Sequence, residues 1–139
     1  MGLQEESLVK AYKTLIRPTV EYAAPAWHSL LTAGQAADLE KQQSQALKNI
    51  YGVGLSAHKM RLKAGVDVLS KRREEASKKF AKKNVLNPRC AAWFPSRDPP
   101  TYARRTNVRY PIYKETTSRT DRQRNTPKNY LLRKLNEMT

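Results

Sequence analysis

Charge divides this chain into two unlike parts. Residues 1–55 carry five basic and five acidic side chains and are neutral, whereas residues 56–139 carry 22 basic against 7 acidic ones and hold the entire net charge of +15. A balanced segment can collapse around an apolar core. A polycationic one repels itself unless something anionic neutralises it, and nucleic acid is the usual such partner. The 139 residues suffice for one domain with a real core, or a small domain and a tail. A single cysteine, Cys90, allows no internal disulfide and fits a reducing compartment. The opening residues Met1 to Glu6 lack the basic run and apolar block of a signal peptide. No unbroken apolar stretch approaches membrane-spanning length. The expectation is an intracellular chain that does not engage a membrane.

Apolar periodicity predicts a mainly α protein: a small helical bundle, made of an antiparallel helix hairpin plus a basic helix, followed by an irregular basic tail. Over residues 7–31, Leu8, Tyr12, Leu15, Thr19, Tyr22, Ala26 and Leu30 fall on one helical stripe, with Val9, Ile16, Ala23 and Trp27 beside it. Pro18 and Pro25 each remove a donor and crowd the carbonyl four residues back, so the segment is expected as one kinked helix or two that abut at Pro18. Thr32 and Gln35 spell a capping box for a helix over residues 33–51, with Leu39, Ala46, Leu47 and Ile50 inward and Gly52 as its stop. Ser56 and Gly65 bracket a short helix. Asp67 is placed to cap a fourth, reaching to about residue 85, with Leu69, Ala76 and Phe80 on one side. The expected core is Leu8, Tyr12, Leu15, Tyr22, Trp27, Leu39, Ala46, Ile50, Leu69 and Phe80. After Pro88 the prolines multiply and arginines stand among Thr, Ser and Asn, which predicts a largely extended tail over residues 89–139 after a helical module over 1–88. Thr126 and Pro127 then start a last helix with Tyr130, Leu131, Leu135 and Met138 as its apolar side.

Catalytic chemistry finds little footing. Two-metal polymerases need clustered aspartates, yet Asp38, Asp67, Asp98 and Asp121 are far apart in sequence. No phosphate-cradling glycine loop, G-x-S-x-G elbow or H-E-x-x-H pair is present. His28, His58 and Cys90 are too few for a four-ligand zinc site, so neither a metal nor a cofactor is expected. The basic helix is the best functional candidate. Lys71 and Arg72 with Lys78, Lys79, Lys82 and Lys83 can follow a phosphate backbone, joined by Arg104, Arg105 and Arg109 of the tail. The plainer interpretation is a solvated surface with i,i+4 pairs Glu74–Lys78 and Glu75–Lys79, which leaves Lys71, Lys82 and Lys83 unexplained. Arg73 and Lys83 flank the apolar stripe and can lie their stems along it. Trp93, Phe94, Tyr102, Tyr110 and Tyr113, interleaved with arginines, offer stacking partners for single strands, although Trp93 and Phe94 can equally dock the tail onto the helices.

Tyr12-Lys13-Thr14-Leu15-Ile16-Arg17-Pro18-Thr19-Val20-Glu21-Tyr22-Ala23-Ala24-Pro25-Ala26-Trp27 resembles the region just after the polymerase core in reverse transcriptases of non-LTR retrotransposons. Leu39-Glu40, Gln43, Ala46-Leu47, Ile50 and Gly52 are similar to the L-E-x-x-Q-x-x-A-L-x-x-I-x-G helix of that family. Arg72-Arg73 before Phe80 and Lys83 is similar to its R-R…F-x-x-K element, and Arg124 with Tyr130-Leu131 to its close. These blocks span most of residues 8–135. The resemblance implies a thumb-like helical region that helps to hold template–primer, with the catalytic palm upstream and absent here. The first block also resembles a segment found with AlkB-like dioxygenases, but the chain has no H-x-D pattern and the iron chemistry is not carried over.

The sequence thus leads to a non-catalytic nucleic-acid-binding fragment of an RNA-directed DNA polymerase, with RNA, DNA or a hybrid as ligand and the missing polymerase core as a further partner. Two alternatives stand beside it: a helical module that binds protein through its apolar hairpin, and a decayed retroelement relic without selected function.

Overall fold

Two prolines and one strained alanine shape the start of the chain. In the computed structural model, which describes residues 4–95 and 113–138, α1 (Glu5–Ala11) widens into a π-helical turn at Tyr12–Ile16 and continues as α2 (Arg17–Glu21). Pro18 has no N–H and crowds the Thr14 carbonyl. The ladder shifts outward by one residue just before it, and the Arg17 N–H donates to the Tyr12 carbonyl. The Thr14 and Thr19 hydroxyls donate back to the carbonyls of Lys10 and Leu15, both at 2.9 Å, a bond type that bends helices. At Ala23 the backbone turns left-handed, φ 52°, which a residue with a Cβ adopts only under constraint. Helix resumes as α3 (Ala24–Trp27) and tightens into a 3₁₀ turn, His28–Leu30. The break expected near Pro18 is there as a π turn, and a second one at Ala23 ends the phase of the apolar stripe. Leu15 and Tyr22, expected in the core, are 70% and 80% exposed, since no element among the described residues covers that side of the stripe.

Local capping sets the next boundaries as the sequence predicts. The Thr32 hydroxyl accepts from the Gln35 N–H and the Gln35 side chain from the Thr32 N–H, opening α4 (Ala33–Tyr51), which Gly52 ends at φ 78°. Ser56 caps α5 (Ala57–Ala64) and left-handed Gly65 closes it. The start of α6 (Leu69–Asn84) departs from the expectation. Asp67 does not cap it. The Glu40 carboxylate reaches across from α4 and accepts from the N–H groups of Leu69 and Ser70 at 3.2 and 2.7 Å. Helix N-termini favour such an anion, and an anion from a distant helix serves as well as a local one.

The described residues form two compact units, and the boundary lies inside α6, between Glu74 and Glu75 rather than near Pro88. In the first unit, Tyr12, Leu47, Met60, Ala64 and Val66 make a buried cluster, with Val9, Ala46 and Ile50 packed against it. In the second, Ala81 of α6 and Phe94, just after a 3₁₀ segment (Pro88–Trp93), are buried with Leu131, Leu132 and Leu135 of the last helix. That helix, α8 (Pro127–Met138), follows a single turn, α7 (Asp121–Arg124). The stretch before α7 lies against α8 through side-chain amides. Asn136 exchanges hydrogen bonds with the Tyr113 backbone, and buried Asn129 accepts from the Thr116 N–H and hydroxyl at 3.0 and 2.8 Å. The protein is mainly helical, and no strand occurs among the described residues. The tail was expected to be largely extended, but from Tyr113 onward it folds onto a core of its own. Arg104, Arg105 and Arg109 lie outside the described residues.

Burial raises the Tyr12 hydroxyl above its ordinary pKa of 10.0, against the opposing pull of Arg17. The folded state thus holds this proton more tightly than the unfolded chain. The stability this contributes is complete below pH 10 and is lost as pH rises through the higher folded value. Urea unfolding at increasing alkalinity is expected to show stability falling above pH 10. Tyr12→Phe should flatten that decline, and a variant that keeps the full decline would exclude Tyr12 as its source.

Candidate nucleic-acid interface

The buried face of α6 is not the one that apolar residues alone mark out. Residues four apart on a helix stack along one side, and the buried positions are Leu69, Arg73, Ser77 and Ala81, whereas Ala76 is exposed and Phe80 is 41% exposed. An arginine takes the place of the expected apolar residue, within the electrostatic reach of carboxylates on other helices. Arg73 is fully buried. Desolvation lowers its pKa, while Glu40 and Glu21 hold the charge in place. Its neighbour Arg72 makes a two-pronged pair with Glu21, Nε to Oε1 at 2.6 Å and Nη2 to Oε2 at 3.1 Å, largely shielded from solvent. Gln43, 3% exposed, donates to the Asp67 carbonyl at 3.0 Å. Arg72 was expected at phosphate. It is instead committed to Glu21, and with Arg73, Glu40 and Gln43 it forms a polar lock within the first unit.

The cations farther along α6 are placed differently. Lys79, Lys82 and Lys83 are exposed, and none forms an ion pair with a carboxylate among the described residues. The Glu75–Lys79 pairing suggested by their spacing is not formed. Lys78 is half-buried. Lys71, in the first unit, keeps only a long exposed contact of 3.8 Å to Asp67, of the kind that contributes little. The described part of the second unit carries twelve lysines and arginines against four acids, Glu75, Glu115, Asp121 and Glu137.

Aromatic side chains divide by environment. Phe94 is buried and docks its segment onto α8, whereas Trp93 beside it is 50% exposed. His28 is half-buried, with its ring edge-on to Tyr130 at 5.5 Å. Trp27 is half-buried and His58 exposed, and Cys90 is a free, partly buried thiol. Of the remaining expected core, Tyr12 and Leu69 are fully buried and Leu8, Leu39, Ala46 and Ile50 half-buried. Among the described residues no three His, Cys, Asp or Glu side chains gather as metal ligands, and no helix is long and apolar enough to cross a membrane.

The roles of Glu21, Glu40 and Gln43 were not foreseen from sequence. The available signal was polar residues at helical spacing on otherwise inward faces: Glu40 and Gln43 beside Leu39 and Leu47, and Arg73 and Ser77 four and eight residues after Leu69. No protein-family model, curated protein or solved structure matches the chain.

Proposed function

We propose that this protein is a non-catalytic nucleic-acid-binding module, of the kind that follows the polymerase core in retrotransposon reverse transcriptases, and that its phosphate-binding face is the second half of α6. The observation that carries this reading is the trio Lys79, Lys82 and Lys83, exposed and without carboxylate partners among the described residues, in a unit where bases outnumber acids threefold. Lysines three and four apart lie on one side of a helix, and burying them against phosphate releases counterions. The resemblance in residues 8–135 supports template–primer as the ligand and a polymerase core as a neighbour. The polar lock of Arg72 and Arg73 supplies the scaffold, not the contact.

The test is fluorescence-anisotropy titration with a labelled RNA–DNA hybrid across a range of salt. Binding should weaken steeply with salt, and the triple variant Lys79→Gln/Lys82→Gln/Lys83→Gln should reduce the log–log salt slope by about 2 to 3. A slope unchanged by the triple variant would remove this face from the proposal. A second reading, a helical module that binds protein, draws on Leu15 and Ile16, exposed in the π turn, and Tyr22, exposed just after α2. Light scattering coupled to size exclusion, before and after nuclease treatment, separates the two. A nuclease-resistant assembly that Leu15→Ser disperses would favour the second.

A further inference from the structure

Phe80 is open to solvent over 41% of its surface, at the edge of the lysine face. Lys83 follows three residues later and is its neighbour on the helix surface, and Lys79 lies one turn before Lys83, so the two ammonium groups line one side of the ring. The last turn of α6 is tied to the 3₁₀ segment Pro88–Trp93 through Asn84. Its Nδ2 donates to the Phe80 carbonyl at 2.8 Å, and its Oδ1 lies 3.8 Å from the Cys90 thiol. That segment carries exposed Arg89 and ends in half-exposed Trp93, and Lys128 donates to the adjoining Ala92 carbonyl at 3.2 Å. Two open aromatic rings and four cations therefore share the end of α6 and the segment bound to it.

Phosphate contact alone needs no aromatic residue. In a duplex the base faces are stacked on one another and hidden, and an exposed ring beside the backbone finds nothing to stack on. A single strand presents both of its parts at once, phosphates to the cations and free base faces to the rings. Resting on the nucleic-acid reading above and going one step beyond it, we infer that this face binds unpaired nucleic acid. One base stacks on Phe80 and another on Trp93, with the intervening phosphates on Lys79, Lys83, Arg89 and Lys128.

The experiment titrates the full chain against a fluorescein-labelled single strand of about fifteen nucleotides and the blunt duplex of the same sequence. The single strand should bind more tightly. Phe80→Leu, which keeps the apolar packing but removes the stacking surface, should weaken single-strand binding about ten-fold and duplex binding less than about two-fold. Phe80→Trp should restore single-strand affinity. In a Trp27→Phe background, the remaining Trp93 emission should be quenched by the single strand. Single-strand binding by Phe80→Leu within about two-fold of the parent overturns the inference. If the triple lysine variant still loses both probes in that case, the phosphate-binding reading survives without it. A parent protein that binds neither probe removes both. If Phe80→Leu disperses a self-association and leaves strand binding intact, the face belongs to a second copy of the chain and the inference falls.

Discussion

Glu40→Ala is expected to lower the unfolding free energy by about 2–3 kcal/mol, more than a half-buried surface glutamate normally contributes. Its carboxylate has two tasks. It accepts from the first N–H groups of α6, at 3.2 and 2.7 Å, and it is the foremost counter-charge for the fully buried Arg73. Loss of the cap alone costs about 1 kcal/mol. The remainder comes from leaving a guanidinium buried with weaker compensation, since Glu21 is already engaged with Arg72. This yields an ordering that simple packing would not. Arg73→Met removes the buried charge and keeps an apolar stem of similar reach, so it should cost less than Glu40→Ala. The double variant should recover part of the loss of the single one. Denaturant unfolding followed by far-UV circular dichroism decides it. A Glu40→Ala protein within about 1 kcal/mol of the parent, or a double variant less stable than the sum of the two singles, would show that the cluster is not coupled in this way.

The second large effect is expected from Leu132→Ala, at about 2–5 kcal/mol. Leu132 is completely buried on α8 among Ala81, Phe94, Leu131 and Leu135. Truncating it leaves a cavity that the amide-pinned stretch over residues 113–120 resists closing, because Asn129 and Asn136 fix that stretch to the same helix. Both tryptophans, Trp27 and Trp93, belong to this second unit. Tryptophan fluorescence therefore reports its unfolding separately from the helical signal of the whole chain, which matters where two units need not melt as one. An extended C-terminal tail would lose nothing on this substitution, so an unchanged fluorescence midpoint would refute the packed second unit.

The two experiments bear on different halves of the functional reading. The polar lock explains why two of the most basic-looking positions, Arg72 and Arg73, are unsuited to phosphate: Glu21 already pairs with the first, and the second is fully buried. Lys79, Lys82 and Lys83, two and three turns later, form no such ion pair among the described residues and remain candidates. A run of cations on a helix is thus not one surface. Each charge faces whatever the fold places opposite it, and α6 changes surroundings where it leaves the first unit for the second.

Much of the secondary structure was legible because its causes act over three or four residues. Thr32 with Gln35, Ser56 with Lys59, and glycines 52 and 65 mark helix ends by hydrogen bonds and backbone angles that neighbouring residues settle among themselves. The break near Pro18 and the last helix from Pro127 belong to the same class, as does the location of the charge excess, which is a property of composition. The core assignments of Leu15, Tyr22 and Phe80 failed because periodicity locates an apolar stripe but not the partner that will cover it. Whether Arg73 or Phe80 of α6 turns inward depends on carboxylates 52 and 33 positions earlier in the chain, Glu21 and Glu40. Charge attraction at that separation exists only once the helices are packed. Caps, stops and net charge were written in the order of the residues; the inward face of α6, the commitment of its arginines and the folding of the C-terminal stretch were decided by contacts that form only in three dimensions.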